Sequence, residues 1–276
     1  MAKLQISLGF LFLALMGYGL GEIDLQPHLQ INELEIQKLG KLIWHNECNG
    51  QKAGLTSWNE GEEFISLGIG HFIWYPTGQT GPFKEKFPEL LIFLQKKGIS
   101  PPSFLNNQVG CPWKNREAFK CAYQGSEMAE LREWLYHHVE MQALFMVESL
   151  QKDFPLLIKS LPLDKQKKIS TQFTRMTLSP GGLYALIDYL NFKGAGASKI
   201  ESYCGCNWGL IQVLETLQGT STDVATIKEF INAAKSVLNQ RILLAPPERK
   251  ESRWRAGWFN RLDSYIKYAK EDPKNL

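Results

Sequence analysis

Two glutamates near the amino end of the chain lie in local sequences that favour opposite protonation states. Glu47 closes an amphipathic helical pattern beside the apolar Trp44, where the helix dipole and the loss of water both favour a protonated carboxyl group. Glu60 follows in a polar turn, where its carboxylate should stay ionised. Cleavage of a glycosidic bond uses such a pair, because one carboxyl protonates the leaving oxygen while the other activates water or stabilises the cation.

The residues around this pair supply a hydroxyl, a glycine-rich turn and large aromatic rings. Ser66, Gly68 and His71 lie in one short run, and its glycines would let the turn backbone approach the site closely. We interpret His71 as a residue that holds the turn rather than one that titrates. Trp58 and Trp74 bracket the run, so we predict that both flank a bound substrate together with Gly68 and His71.

Other interpretations of these residues stay open at this point. Glu47 could serve only as a cap or an ion-pair partner at a helix end. The group that faces the substrate could be a neighbour of Glu60 in the same acidic turn, namely Asn59, Glu62 or Glu63.

The composition is that of a folded chain that does not favour nucleic-acid binding. Of its 276 residues, 44% are apolar and 21% are charged, which excludes a disordered or fibrous chain. The net charge of +3 excludes a strongly basic nucleic-acid binder as the default interpretation. The length permits one large domain or two modest ones.

Residues 1–21 have the pattern of a secretory signal peptide. Lys3 precedes an uncharged apolar run from Leu4 to Tyr18, and small residues suited to cleavage follow it. An uncleaved anchor is the alternative, because the run approaches the length of a membrane span. We therefore expect a periplasmic or secreted protein whose mature chain has no stable membrane span.

Helical periodicity dominates the chain, apart from one glycine-rich and β-prone segment. An amphipathic helix from about Asn32 to His45 begins with a capping box and precedes a small hairpin or three-stranded sheet over 47–75. Prolines break residues 76–113, which predicts a surface elaboration. The predicted fold class is α+β and mostly helical. Further helices are predicted over Glu89–Lys97, Met128–Asp153, Gly182–Phe192, Trp208–Leu217, Thr222–Leu244 and Trp258–Lys270.

The five cysteines do not form the pattern of a disulfide scaffold. Cys111 and Cys121 bracket a short polar loop and are the pair most compatible with a bridge. A zinc site that joins Cys204 and Cys206 to a distant histidine is disfavoured, because no second motif supplies the usual ligand spacing. We predict no metal and no cofactor.

The order of four features near the amino end resembles that of the phage-type lysozymes, members of the lysozyme-like superfamily. Those enzymes carry a glutamate at the end of the first long helix, then a carboxylate, then a threonine followed by a GIGH segment. The resemblance continues in order through the helices of the carboxyl half, from Ala185–Asp188 onwards. The four features in this sequence are Glu47, Glu60, Ser66 and Gly68-Ile69-Gly70-His71.

The resemblance implies one catalytic domain with a bilobal lysozyme-like fold over residues 22–276. A small sheet would lie in the amino-terminal lobe (22–75) and helices would form the carboxyl-terminal lobe (126–276). Residues 76–125 have no counterpart in the family and would be an inserted loop-rich region between them.

The activity that the resemblance implies is hydrolysis of the β-1,4 bond of peptidoglycan or a related amino-sugar polymer such as chitin. Glu47 would be the general acid, Glu60 the second carboxylate, and Ser66 the group that orients water. The family has aspartate and threonine in place of Glu60 and Ser66, so the chemical groups are kept but their reach differs. A lytic transglycosylase and a catalytically silent glycan- or protein-binding domain stay open as alternatives.

Basic residues concentrate near the carboxyl end of the chain. As a functional surface they would contact an anionic polymer such as peptidoglycan, and as an ordinary surface they would form ion pairs with Glu248 and Glu251. Both interpretations stay open. The basic residues are Arg249, Lys250, Arg253, Arg255 and Arg261.

Overall fold

The computed structural model describes residues 31–105, 110–197 and 202–272 of the chain. They are mostly helical, with one small antiparallel sheet, which confirms the predicted α+β class. The predicted signal peptide lies outside the described residues. The helices are α1 (Glu33–Cys48), α2 (Phe87–Lys96), α3 (Arg116–Ala122), α4 (Ser126–His137), α5 (Val139–Ile158), α6 (Leu163–Leu178), α7 (Gly182–Lys193), α8 (Leu210–Thr216), α9 (Val224–Leu244) and α10 (Arg255–Lys270).

Helix α1 begins where the sequence predicts and ends later than expected. The side chain of Asn32 accepts a hydrogen bond from the backbone of Glu35, whose side chain in turn accepts one from the backbone of Asn32. The helix continues past His45 and stops at Asn49, which has a left-handed backbone with φ of +50°. Glu47 therefore lies inside the last helical turn. The helix packs along α5 through its apolar face.

The sheet has three short strands in sequential order, and each neighbouring pair is antiparallel. Ser66 is opposite Ser57 on one side and Ile73 on the other. All three side chains of the central strand are buried. The strands are β1 (Thr56–Ser57), β2 (Ile65–Leu67) and β3 (Phe72–Trp74).

The glycine-rich turn between β2 and β3 is held against α5 by one buried amide. The backbone N–H of Ile69 donates to Oε1 of Gln142 at 2.9 Å. Gly68 donates to the carbonyl of Leu55 at 2.8 Å and has φ of +73°. A Cβ atom at Gly68 would lie 2.3 Å from Oε1 of Gln142, so this position requires glycine.

The segment Met128–Asp153, predicted as one helix, is two helices, so its predicted continuity is wrong. The break lies at His138, where φ is −116° and ψ is 28°. Nε2 of Gln142 donates to the carbonyls of Leu135 at 2.6 Å and His138 at 3.2 Å. The same side chain that holds the sheet turn therefore also supplies donors to carbonyl groups at the helix break.

The described parts of the proline-broken segment, 76–105 and 110–113, contribute to the core, which corrects the expected surface elaboration. Phe87 of α2 packs on Trp74 of the sheet, with ring centroids 5.0 Å apart. Trp113 packs edge-on against Phe119 at 5.4 Å. The apolar face of α2, which also buries Leu90 and Leu94, makes the segment part of the packed interior.

Helix α6 was not predicted from the sequence. It follows Pro162, and its first half is rich in lysine, which obscures the apolar period. Its buried face includes Ile169 and Phe173, and Phe173 stacks on Phe154 of α5 with ring centroids 4.0 Å apart. Tertiary packing on α5 therefore completes a helix whose sequence pattern alone is weak.

A buried arginine of α6 holds the loop between α8 and α9. Arg175 is 6% exposed and donates to the carbonyl of Ser221 at 2.6 Å and to Oε1 of Gln172 at 2.8 Å. It also pairs with Oε2 of Glu229 at 2.7 Å. The other oxygen of Glu229 accepts from the backbone of Gln218 at 2.7 Å. We call these residues the Arg175 network.

All five cysteines are free, which corrects the expected bridge between Cys111 and Cys121. Cys111 is buried and its thiol donates to the carbonyl of Trp113 at 3.4 Å, whereas Cys121 is exposed on α3. Burial raises the pKa of the Cys111 thiol to about 12. Across the described ranges, no helix is both long and apolar enough to cross a membrane.

Candidate active site

Glu47 has a largely buried carboxylate at the meeting point of four elements. Its side chain is 12% exposed. Oε1 accepts hydrogen bonds from Nδ2 of Asn191 in α7, at 3.1 Å, and from the guanidinium of Arg261 in α10. Oε2 lies 3.6 Å from Nδ1 of His71 in the sheet turn. The carboxyl group is therefore oriented by groups from both ends of the chain.

Arg261 is shared between Glu47 and a second carboxylate, Asp188 of α7. Its Nε and terminal nitrogen lie 2.9 and 2.8 Å from the two oxygens of Asp188, which is fully buried. Asp188 also accepts from the hydroxyl of Tyr265 at 2.5 Å and from Asn46 at 3.3 Å. Burial acts to lower the pKa of Arg261, but the bonds and charges of Asp188 and Glu47 outweigh it and raise that pKa.

His71 holds its imidazole beside Glu47 through an uncommon backbone conformation. Its φ is +45°, in the left-handed region that residues other than glycine seldom adopt. Its backbone N–H donates to the carbonyl of Gly68 at 3.2 Å, which closes the turn. Such backbone strain occurs often at functional sites, where neighbouring structure maintains it. His71 therefore closes the turn, as the sequence predicts, and also places its side chain beside Glu47.

We call Glu47, His71, Asp188, Asn191 and Arg261 the Glu47 cluster. The cluster contains two carboxylates and one guanidinium, so its formal charges leave one negative charge in excess. Among the described residues, three of its four carboxylate oxygens accept hydrogen bonds from other side chains, whereas Oε2 of Glu47 lies beside the imidazole of His71.

Glu60 lies apart from this cluster in the hydrogen-bond pattern. It is exposed in the turn between β1 and β2. Among the described residues, no hydrogen bond or ion pair joins Glu60 to Glu47. Its neighbours in the turn bond locally, since Nδ2 of Asn59 donates to Oε2 of Glu62 at 3.1 Å, while Glu63 is exposed.

The other sequence-predicted residues are buried in and around the sheet. Ser66 is in the middle of β2 and is 4% exposed. Trp58 packs edge-on against Phe119 at 6.0 Å and donates its indole N–H to the carbonyl of Glu62 at 2.7 Å. Trp74 is 3% exposed and packs on α2. The rings of both tryptophans therefore contribute to the core that supports the sheet.

Three residues of the cluster were not proposed as site residues from the sequence. Asp188 and Asn191 are polar positions three residues apart in the otherwise apolar α7, so they share one face of that helix. Two polar residues on a buried helix face were a readable signal for a site. Arg261 was noted only as one of a group of basic residues, because its partners are distant in the sequence.

Within the described ranges, no group of three or more histidine, cysteine, aspartate or glutamate side chains is arranged to hold a metal ion. No family model, no curated protein and no solved structure matches this chain. The geometry of the Glu47 cluster and the resemblance in sequence order are therefore the features that bear on function.

Proposed function

We propose that this chain is a lysozyme-type glycoside hydrolase that cleaves the β-1,4 bond of peptidoglycan or a related amino-sugar polymer. The observation that carries the proposal is the environment of Glu47, a largely buried carboxyl group with one oxygen held and the other beside a histidine. A general acid needs this combination of burial, fixed orientation and access to a proton.

The two oxygens of Glu47 have different tasks in this proposal. Oε1 is held by Asn191 and Arg261, so it stays an acceptor and fixes the plane of the carboxyl group. Oε2 carries the proton and delivers it to the leaving glycosidic oxygen. After departure of the first sugar, the same oxygen can accept a proton back from water.

Glu60 is the proposed second carboxylate, and Ser66 is the proposed water-orienting hydroxyl. Glu60 is exposed to water, which suits a carboxylate that stabilises a cationic sugar or activates water. We further propose that residues 1–21 direct export, so that the enzyme meets its substrate in the periplasm or outside the cell.

A lytic transglycosylase is the second candidate function. Its chemistry uses one glutamate as acid and then as base. After the leaving sugar departs, a hydroxyl of the retained sugar attacks its own anomeric carbon, which gives an anhydro end. The observation that favours it is the separation of Glu60 from the hydrogen bonds of the Glu47 cluster. Mass spectrometry of the products distinguishes the two, because only transglycosylation leaves anhydro-sugar ends.

The proposed function is tested by Glu47→Gln, which keeps the size of the side chain and removes the acid. We expect release of soluble fragments from purified peptidoglycan to fall by at least about 100-fold, the contribution typical of general acid catalysis. The matched control is Glu33→Gln, at the exposed start of the same helix, which should cleave like the wild type.

Two results would overturn the proposal. Undiminished cleavage by Glu47→Gln would remove the general acid from the mechanism. A wild-type protein that binds peptidoglycan and chitin oligosaccharides without cleaving either would instead indicate a silent glycan-binding domain.

A further inference from the structure

A pocket of about 430 Å³ lies beside the amino end of α10, away from the sequence-predicted site residues. It is bounded by the end of α9 and by two short 3-10 turns, Pro247–Arg249 and Glu251–Trp254. The side chains that matter for its chemistry are Arg241, Arg249, Arg253, Glu251, Trp254 and Trp258. We call it the arginine-tryptophan pocket.

The pocket has a positive charge balance with one internally matched ion pair. Arg241 forms two hydrogen bonds with the carboxylate of Glu251, at 2.6 and 2.7 Å. Burial acts to raise the pKa of Glu251, but bonds from Arg241 and Tyr203 outweigh it and lower that pKa. Arg249 and Arg253 are therefore the cations that remain to attract a ligand, opposed in the lining by one further carboxylate, Glu248.

The pocket also offers an aromatic surface to the solvent. Trp254 is 52% exposed, although tryptophan is generally well buried. The guanidinium of Arg253 lies 4.9 Å from the centre of its ring. An exposed ring beside guanidinium groups can stack on the apolar face of a sugar while the cations pair with an acidic substituent.

A chain of ring contacts connects the pocket to the Glu47 cluster. The Nζ atom of Lys193 lies 3.5 Å from the centre of the Trp258 ring and 4.0 Å from that of Phe192. Arg261, which contacts Glu47, lies 4.4 Å from the same Phe192 ring. The pocket and the proposed acid are thus separated by only a few side chains of α7 and α10.

We propose that the arginine-tryptophan pocket binds a carboxylate-bearing sugar unit of the polymer that the enzyme cleaves. Arg249 and Arg253 pair with the carboxylate, and Trp254 stacks on the sugar ring. This inference deepens the proposed function, because it selects an acidic glycan such as peptidoglycan over neutral chitin. An acidic sugar bound here contributes binding energy to the site around Glu47.

The test compares N-acetylmuramic acid with N-acetylglucosamine. The two sugars differ by one lactyl ether group, which carries the carboxylate. Binding is followed by NMR titration of the Trp254 indole signal in the full chain, with Trp254→Phe to assign that signal. We expect about 10-fold tighter binding of N-acetylmuramic acid, as for a charge-assisted hydrogen bond. In the double variant Arg249→Gln with Arg253→Gln, this preference should disappear. Arg255→Gln is the matched control, because Arg255 is exposed nearby and does not line the pocket.

Three outcomes would overturn the proposal. The first is equal affinity for the two sugars, and the second is an unchanged preference in the double variant. The third is binding of free lactate as tight as that of N-acetylmuramic acid, which would indicate a simple anion site. The titration does not depend on cleavage. An acid-selective pocket in a protein that never cleaves would support this inference while the proposed function fails. If the protein cleaves the polymer and needs Glu47 to do so, but the pocket does not prefer the acidic sugar, the proposed function stands and this inference fails.

Discussion

The Arg175 network and the Glu47 cluster each place a guanidinium among carboxylates, yet they differ in charge and in partners. Arg175 pairs with one carboxylate, Glu229, and its remaining bonds go to Gln172, Ser221 and Thr226. The pair is neutral. Arg261 pairs with two carboxylates, Glu47 and Asp188, and the set keeps one negative charge in excess.

The two networks also differ in how the oxygens of their carboxylates are bonded. The carboxylate of Glu229 is satisfied on both oxygens, by Arg175 and by the backbone of Gln218 and Gly219. Among the described residues, the polar group beside Oε2 of Glu47 is the imidazole of His71, and its Nδ1 is 3.6 Å away. The two networks therefore differ in how completely their carboxylate oxygens are hydrogen-bonded.

The largest effect is expected at Arg261, because the residue supports both stability and the proposed acid. Arg261→Met leaves the fully buried Asp188 without a charge partner, and we expect the free energy of unfolding to fall by about 3–5 kcal/mol in urea titrations. Cleavage should be lost as well. Adding Asp188→Asn should recover most of the stability and none of the cleavage. A stability loss below about 1 kcal/mol, the range of an exposed pair, would contradict this account.

The next effect is expected at Arg175, and it should concern stability alone. Arg175→Met removes the donors that hold the loop between α8 and α9, so we expect a loss of about 2–3 kcal/mol, less than at Arg261 because Glu229 is partly exposed. Cleavage per folded molecule, measured well below the unfolding midpoint, should equal that of the wild type. A parallel fall in cleavage would show that the two networks are not separate in function.

An effect of opposite sign is expected at Lys193, whose side-chain amine lies on the Phe192 ring that Arg261 also contacts. Burial and then the charge of Arg241 lower the pKa of Lys193 to about 6, although Glu251 opposes the shift and Arg261 adds to it. The unfolded chain therefore binds a proton that the folded chain does not bind at neutral pH. Lys193→Met should therefore stabilise the protein at neutral pH, and the gain should be largest at pH 6 and below.

The advantage of Lys193→Met should shrink as the pH rises from about 6 towards 10.5, because the wild type then loses its penalty. Thermal unfolding across this range measures the difference. Lys152→Met on the surface of α5 serves as the control and should show no such trend. A constant difference across the range would mean that the amine of Lys193 stays charged in the folded protein.

The smallest effect is the acid response of Glu229. Burial acts to raise its pKa, but backbone bonds and Arg175 outweigh it and lower that pKa below 4.5. Its stabilising contribution is present above pH 4.5 and is lost as the pH falls through the lowered value. The stability difference between the wild type and Arg175→Met should therefore narrow in acid, which urea titrations from pH 6 to 3 measure. A difference that widens in acid would contradict the assigned direction.

The sequence predicts the elements whose signals are local. The capping box at Asn32 and the glycine turn at Gly68 locate α1 and the sheet, because both depend on neighbouring residues. The break at His138 is not readable in this way, because it depends on Gln142 reaching both the sheet turn and the helix carbonyls. The burial of α2 likewise depends on packing across the fold, which composition does not reveal.

Prediction of the candidate site has the same limit, because residues close together in the sequence were identified and distant ones were not. Glu47 and His71 were identified from spacing within one short segment, whereas Arg261 and Asn191 reach Glu47 from distant parts of the chain. Trp58 and Trp74 were selected for their nearness in sequence to that segment. Trp74 is on the buried face of β3 and packs on α2, and Trp58 packs on α3. Only the tertiary structure determines these contacts.

The contact between Glu47 and Arg261 also determines when the site can form during synthesis of the chain. The two residues are 214 positions apart, and Arg261 belongs to the last helix that the structure describes. During synthesis, α1 and the sheet can form while α10 does not yet exist. The proposed acid therefore acquires its orientation only after α10 has been synthesised, so a nascent or truncated chain that lacks α10 would contain Glu47 without an assembled site.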